Sequence, residues 1–384
     1  MINIIDSPEK LWQECSQLSK TPSIIFSELY DENNSHFVLA YGPVAQRNQY
    51  QELLYSAKNK FNVSILPIRD FQLFGEIPWP GKVICHFHWI HGVTSQAKSV
   101  SQAEASVLFW EKLLNQIKKN GHKIVWTVHN VLPHDSIWPE YDIKIHQMMS
   151  DAADGLHVMA KDSVEQTKPY YKLHENKLFL VPHSTYQGAQ IDEISPEAAR
   201  KQLEFDQDDF VFLSFGAIME YKGFDYLMAA YDKVRNNSLK KTRLIIAGLP
   251  TDKSLVSLIL AWGEGKPDVT LDLTPVANDK LQVYFRSANI AVCPYRRTMN
   301  SGAAMMAMTF DLPVIGPNIG GFADLINDGC AYGYKINDQK ALISVMETVL
   351  SNGVDLKKQN IKLRQSFLSP QKISTEFFNK IYNL

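Results

Sequence analysis

Cys293-Pro294-Tyr295-Arg296-Arg297-Thr298-Met299-Asn300-Ser301-Gly302-Ala303-Ala304, running on into Pro313-Val314-Ile315-Gly316-Pro317-Asn318-Ile319-Gly320-Gly321, is the stretch that decides the fold of this chain. An apolar run ends at Tyr295, a Ser-Gly pair follows, residues 302–310 suit a helix, a second apolar run follows Pro313, and Gly-Gly opens another helical pattern. The spacing predicts strand, turn, helix, strand, turn, helix. Two successive strand ends that pass through glycine into helix N-termini present backbone N–H groups and dipoles to an anion. The expected anion is a diphosphate, and the expected ligand a nucleotide.

Similar units lie on both sides. Downstream of residue 195 the segments 210–216, 243–248, 269–271, 288–294 and 313–316 read as strands, with helices at 225–234, 279–286 and 302–310. Ser195-Pro196-Glu197 has the residues of an N-cap and first helical turn. Upstream, strands are expected at 37–41, 63–68, 82–87, 123–129, 155–159 and 178–181, with helices at 50–57, 103–119 and 143–152. Strands alternating with helices predict parallel sheets covered on both faces. The fold class is therefore α/β, with two doubly wound domains at 1–190 and 191–368. An amphipathic segment at 371–382 is expected to pack back on the first domain as part of a C-terminal piece, 369–384. Two such domains would bind ligand at the carboxyl ends of their strands, in a cleft between them.

At 384 residues the chain exceeds one ordinary core, and 45% hydrophobic with 21% charged residues is a globular composition. A net charge of −2 supplies no overall basic field, so no nucleic-acid partner is expected. Cys15, Cys85, Cys293 and Cys330 are scattered without metal-ligand spacing, so neither disulfides nor a zinc site is expected. No signal-like N-terminus and no long apolar span is present, so the expected location is the cytoplasm, at the inner face of the membrane if the acceptor is a lipid. Lys112, Lys118, Lys119 and Lys123, interleaved with Leu113, Leu114 and Ile117, would form either a basic membrane-facing helix or an ordinary solvated one.

In the second domain, Gly216 ends a strand, Lys222 stands in the following loop, and Gly223 opens the next helix. Lys222 could neutralise a diphosphate leaving group, although a solvated loop would look the same. Arg296 or Arg297 could fork onto phosphate oxygens. Gly320 and Gly321 permit close backbone approach, and Asp324 could contact donor hydroxyls or cap a helix. In the first domain, His129 follows an apolar strand, while His86 and His88 share one face of another. Such a histidine could hydrogen-bond a sugar or take a hydroxyl proton. Asp135 is a second candidate base, with Asp142 behind it, while Asn130 and His134 are candidates for the acceptor side.

The ordered set Gly216-x-x-x-x-Tyr221-Lys222-Gly223, Ile245-Ile246-Ala247-Gly248, 288–295, Ser301-Gly302, Leu312-Pro313-Val314-Ile315 and Gly320-Gly321 resembles the donor domain of nucleotide-sugar glycosyltransferases. Specifically, it resembles glycosyltransferase family four (group 1) and its neighbours in the two-Rossmann GT-B superfamily. His86-Phe87-His88-Trp89 and Trp126-Thr127-Val128-His129-Asn130 are similar to the acceptor-side domain of bacterial exopolysaccharide transferases, which add mannose, glucose or glucuronic acid. The resemblance implies hexose transfer from a GDP- or UDP-sugar to a glycan or polyprenyl-linked oligosaccharide, with no metal and no cofactor. Its roles would be His129 and Asp135 in catalysis; Gly216, Lys222, Arg296, Arg297, Ser301, Gly302, Gly320, Gly321 and Asp324 around the donor; and His86, His88, Asn130 and His134 toward the acceptor. Thr298 and Met306 stand where relatives carry two glutamates, and Ala217 where they often carry arginine. Other classes stay open: a nucleotide-sugar epimerase or phosphorylase-like enzyme, or a catalytically silent nucleotide-binding homologue.

Overall fold

The computed structural model of the chain describes residues 37–45, 48–69, 71–76, 81–133 and 136–384. It divides into two compact units. One holds the chain up to Pro182 together with Gln371–Leu384, and the other holds His183–Pro370. The division precedes the expected 190/191 boundary, because residues 183–194 carry little regular structure and belong with the second unit.

The first unit is built on six parallel strands: β1 (Phe37–Gly42), β2 (Val63–Pro67), β3 (Val83–Phe87), β4 (Lys123–Thr127), β5 (Gly155–Val158) and β6 (Leu178–Leu180), in the order β2-β1-β3-β4-β5-β6. The second unit repeats the design with β7 (Phe210–Phe215), β8 (Thr242–Ala247), β9 (Val269–Asp272), β10 (Ile290–Val292), β11 (Val314–Pro317) and β12 (Ala331–Tyr334), in the order β12-β11-β10-β7-β8-β9. Parallel strands need crossovers, and the helices that make them bury both faces of the sheet. That is why β1 and β3 are buried at every position and β7 at all but Phe215.

In each sheet the winding reverses once: between β1 and β3 in the first, and between β7 and β10 in the second. Loops leaving the carboxyl ends of these neighbouring strands diverge, and the gap between them is where open α/β sheets take ligands. Lys222 follows β7 and Arg296 and Arg297 follow β10, the two strands of the second reversal, and His88 follows β3 at the first.

The helix Pro370–Ile381 closes the first sheet. Phe377, Phe378 and Ile381 are fully buried, worth roughly 2 kcal/mol apiece as area removed from water. Ser374 Oγ accepts from the Ala57 N–H at 2.8 Å, and Phe378 stacks on Phe61 at 5.3 Å. The expected strand at 288–294 is shorter than its apolar run, because Pro294 lacks the N–H a ladder needs. β12 and the helices Lys253–Gly263, Gln339–Asn352 and Asp355–Gln365 are additions to the sequence reading.

Candidate functional site

After β7 the chain passes Gly216 and makes a short 3-10 turn, Glu220–Lys222, before Gly223 starts the helix Phe224–Asn237. Gly223 has φ 67°, and a Cβ there would lie 2.1 Å from the Pro294 carbonyl oxygen. Only glycine lets the turn come this close to the loop after β10. The Arg296 N–H also donates to Tyr221 O at 2.8 Å, so the two loops flanking the winding reversal are clamped together.

This clamp buries Lys222. The side chain is 8% exposed, its Nζ lies 5.4 Å from the centre of the Tyr295 ring, and a Cβ on Gly216 (φ 123°) would sit 2.6 Å from that nitrogen. Burial drives its pKa down from 10.5 to about 8, against a small upward pull from Cys293. Among the described residues no carboxylate pairs with it, so the cation is held in the fold without a counter-charge.

Ser301 is the N-cap of the helix Gly302–Thr309, its Oγ accepting from the Ala304 N–H at 3.2 Å. Gly302 leaves room for the Tyr186 hydroxyl, which would be 2.9 Å from a Cβ. Sequence reasoning missed Tyr186, whose partner is far away in the chain. Burial pushes the Cys293 thiol up to about 12, so that group stays protonated and inert.

Gly320 (φ 59°) would place a Cβ 2.4 Å from Met299 O, and the Gly321 N–H donates to that same oxygen at 2.8 Å. The pair thus docks residues 298–300 onto the next helix. That helix begins at Gly320 behind Ile319, whose side chain makes no cap bond, and Asp324 stands within it. Of the two arginines, Arg296 pairs with Asp225 and lies 4.5 Å over the Tyr226 ring, while Arg297 is exposed.

In the first unit the histidines form one connected structure. His129 Nε2 meets His88 Nδ1 at 3.0 Å. His88 Nε2 and His86 Nδ1 each lie 2.7 Å from the Tyr55 hydroxyl. His86 Nε2 reaches Thr127 Oγ1 at 2.7 Å, Thr127 Oγ1 meets His157 Nδ1 at 2.9 Å, and His157 Nε2 ends on Val181 O at 2.9 Å. Strand geometry builds this chain: His86 lies in β3 with His88 just past its end, Thr127 ends β4 with His129 two residues on, and Thr127 pairs with His157 across to β5. Phe377 stacks on His86 at 5.1 Å and 18°, sealing the chain from water.

His86 and His88 are therefore buried with both ring nitrogens engaged internally, and neither meets a ligand directly. Burial first, then neighbouring imidazoles, hold both well below the usual histidine range. Half-buried His129 is the outer end, stacked on Trp89 at 4.2 Å and opening on a recess shared with His91, Asn130 and His146. His134 and Asp135 lie outside the described residues. Asp142 is buried, with its oxygens accepting from the Thr94 and Ser136 hydroxyls, which suits a structural anchor.

Residues 195–366 match the family described as Glycosyl transferases group 1. The second unit, over nearly its whole length, is similar to that family. The chain is 28% identical over 189 residues to a D-inositol 3-phosphate glycosyltransferase of Geodermatophilus obscurus, a match covering 46% of this chain and 41% of that one. A second such enzyme, from Catenulispora acidiphila, is 29% identical over 37% of this chain and 36% of its own length. The matches thus span about 40% of the curated relatives. Among solved structures, sucrose-phosphate synthase from Thermosynechococcus elongatus covers 91% of this chain and 98% of its own at a TM-score of 0.68 and 15% identity. Anabaena HepE in complex with UDP covers 91% and 100% at 0.64 and 12%. These likenesses make the fold GT-B, two Rossmann-like domains in one chain.

Within the glycosyltransferase domain, Thr298 Oγ1 donates to Asn300 O at 2.8 Å and Met306 is buried. Neither offers a nucleoside a carboxylate. On the helix Val100–Lys119, Leu113, Leu114 and Ile117 face the core, and Lys118 is drawn to Asp154 and Ala152 O. No helix among the described residues is long and apolar enough to cross a membrane.

Proposed function

We propose that the chain transfers a hexose from a GDP- or UDP-sugar to a glycan or polyprenyl-linked oligosaccharide in surface polysaccharide synthesis, without a resident cofactor. The observation that carries the reading is Lys222, an ammonium buried at the winding reversal of the donor-type domain without a carboxylate partner among the described residues. An unpaired buried cation is costly unless something anionic completes the site. A nucleoside diphosphate does so, and relief of that cost is strongest as the leaving group gains charge.

In this reading Lys222 and the N-terminus of Gly302–Thr309 hold the diphosphate, with Ser301 and Arg297 beside them. Arg296 is the weaker candidate because Asp225 already occupies its guanidinium. The first unit presents the acceptor, and His129 receives a hydrogen bond from a sugar hydroxyl, taking its proton if the reaction inverts configuration. HepE's complex with UDP supports a uridine or similar nucleotide.

A panel of GDP- and UDP-sugars tested for thermal stabilisation, followed by transfer to polyprenyl-linked acceptors, checks this. A ligand that binds the native state must raise its melting temperature. Stabilisation with transfer is the expected result. No shift with any nucleotide sugar removes the donor site. Binding without turnover identifies a silent homologue, and turnover of the donor without a glycan acceptor identifies the epimerase-like class.

A further inference from the structure

We propose that Tyr55, His86, His88, Thr127 and His157 are positioning residues, whose hydrogen-bond chain from the Val181 carbonyl holds His129 with its proton on Nε2 and its lone pair on Nδ1. The inference deepens the functional reading and rests on it only for what His129 then does.

The direction of the chain follows from its deep end. A carbonyl oxygen can only accept, so His157 Nε2 carries a proton and donates it to Val181 O. A neutral His157 then has its lone pair on Nδ1, and Thr127 donates to it. The Thr127 oxygen accepts from His86 Nε2–H, leaving a lone pair on His86 Nδ1 that receives the Tyr55 O–H. The Tyr55 oxygen accepts in turn from His88 Nε2–H, and His88 Nδ1 is left to accept. His129 meets that acceptor through Nε2, which must donate. Reversing any link would require either two donors facing each other or a second proton on a ring.

That second proton is excluded by environment. Tyr55 is 4% exposed, and His86, His88, Thr127 and His157 are each 1% exposed or less. An imidazolium among them would be a charge without a carboxylate in this network. With the His86, His88 and His157 rings neutral, one orientation satisfies every bond, and linked bonds of one sense polarise each other. The consequence at the surface is a specific acceptor atom. A sugar hydroxyl that meets His129 in the proposed reaction meets the Nδ1 lone pair, while the buried chain accepts from Nε2–H and so makes the ring more basic and supports it as it gains positive character.

The deciding experiment is nitrogen NMR on full-length protein carrying 15N-histidine, recorded at pH 8, with the His129 signals identified by their loss in His129→Gln. Correlations from the ring carbons' protons separate a protonated from an unprotonated nitrogen. The wild type is expected to show His129 protonated at Nε2; protonation at Nδ1 overturns the proposal. Tyr55→Phe cuts the chain without changing shape and should give His129 a mixture of tautomers. Thr127→Val should do so less, and Thr127→Ser should restore the wild-type pattern. An unchanged His129 in both Tyr55→Phe and Thr127→Val overturns the proposal, even if either protein is less stable.

Once a donor is known, Tyr55→Phe should lower kcat about ten-fold, the scale on which outer partners of a working histidine act. Donor KM should stay within about two-fold, because the donor site is untouched. Absence of transfer in a wild type that shows the expected tautomer would remove the functional reading while leaving the tautomer assignment standing.

Discussion

At the carboxyl ends of β3, β4 and β5, polar side chains are buried together and satisfy one another; at the carboxyl end of β7, a single ammonium is buried with no carboxylate among the described residues to meet it. Both clusters sit beside a winding reversal, in sheets of the same kind. The first is complete without ligand and gains rigidity from that completeness. The second is incomplete and stores a cost that a ligand can relieve. A satisfied network is suited to aiming one atom, and an unsatisfied charge is suited to binding.

The largest test of this contrast is Lys222→Met, which keeps the side chain's length and removes its charge. Nucleoside diphosphate affinity should fall about 100-fold or more in calorimetry, the scale of a lost buried charge contact. The ligand-free protein should melt at a higher temperature than wild type, since the uncompensated charge is gone. A lower melting temperature would mean that the ammonium already has a partner.

His129→Ala comes next, expected to reduce kcat about 100-fold in a coupled transfer assay while leaving nucleotide affinity within about two-fold. Loss of nucleotide binding in that variant would move His129 into the donor site. Gly223→Ala should cost about 2 kcal/mol or more of unfolding free energy in urea, because alanine must hold φ 67° and meet the Pro294 carbonyl.

The pH dependence is subtler. With the Lys222 pKa lowered to about 8 in the folded chain, the unfolded chain holds more protons between about pH 8 and the ordinary lysine value. Stability contributed by this group therefore rises with pH across that window, and below pH 8 its burial cost is fully present. Diphosphate restores the charge, so binding at pH 9 should take up a proton, read from calorimetry in buffers of different ionisation enthalpy, and at pH 7 it should take up almost none. The smallest expected effect is Arg296→Ala, which should change nucleotide affinity less than Arg297→Ala does. The reverse order would show that the Asp225 pair opens on binding.

Much of the second unit was legible in the chain. Gly216, Lys222, Gly223 and Ser301-Gly302 are close in sequence to the strand ends they serve, and cap and turn chemistry is local. Gly320-Gly321 was legible as a close approach, but glycine does not name what approaches; the neighbour Gly320 meets is the Met299 carbonyl, close in space and distant in sequence. His86 and His88 were visible as sharing a face, but that face could have been open. Their burial depends on a phenylalanine of the last helix. Thr127 and His157 were passed over as ordinary strand residues, since nothing in either segment says that β4 and β5 are neighbours. β12 was missed because Ala331-Tyr332-Gly333-Tyr334 has too little apolar periodicity to mark a strand.

The sequence by itself determined the alternation of buried strands and helices, the two winding units and the loop that carries Lys222, because these follow from hydrophobic period and glycine placement along the chain. The tertiary structure alone decided which polar groups are satisfied. Strand order and register brought Tyr55, His86, His88, Thr127, His129 and His157 into one hydrogen-bonded line, and the approach of two loops left Lys222 buried beside Tyr295. Hydrogen bonding and desolvation act over a few ångströms in space, and distance along the chain does not measure them.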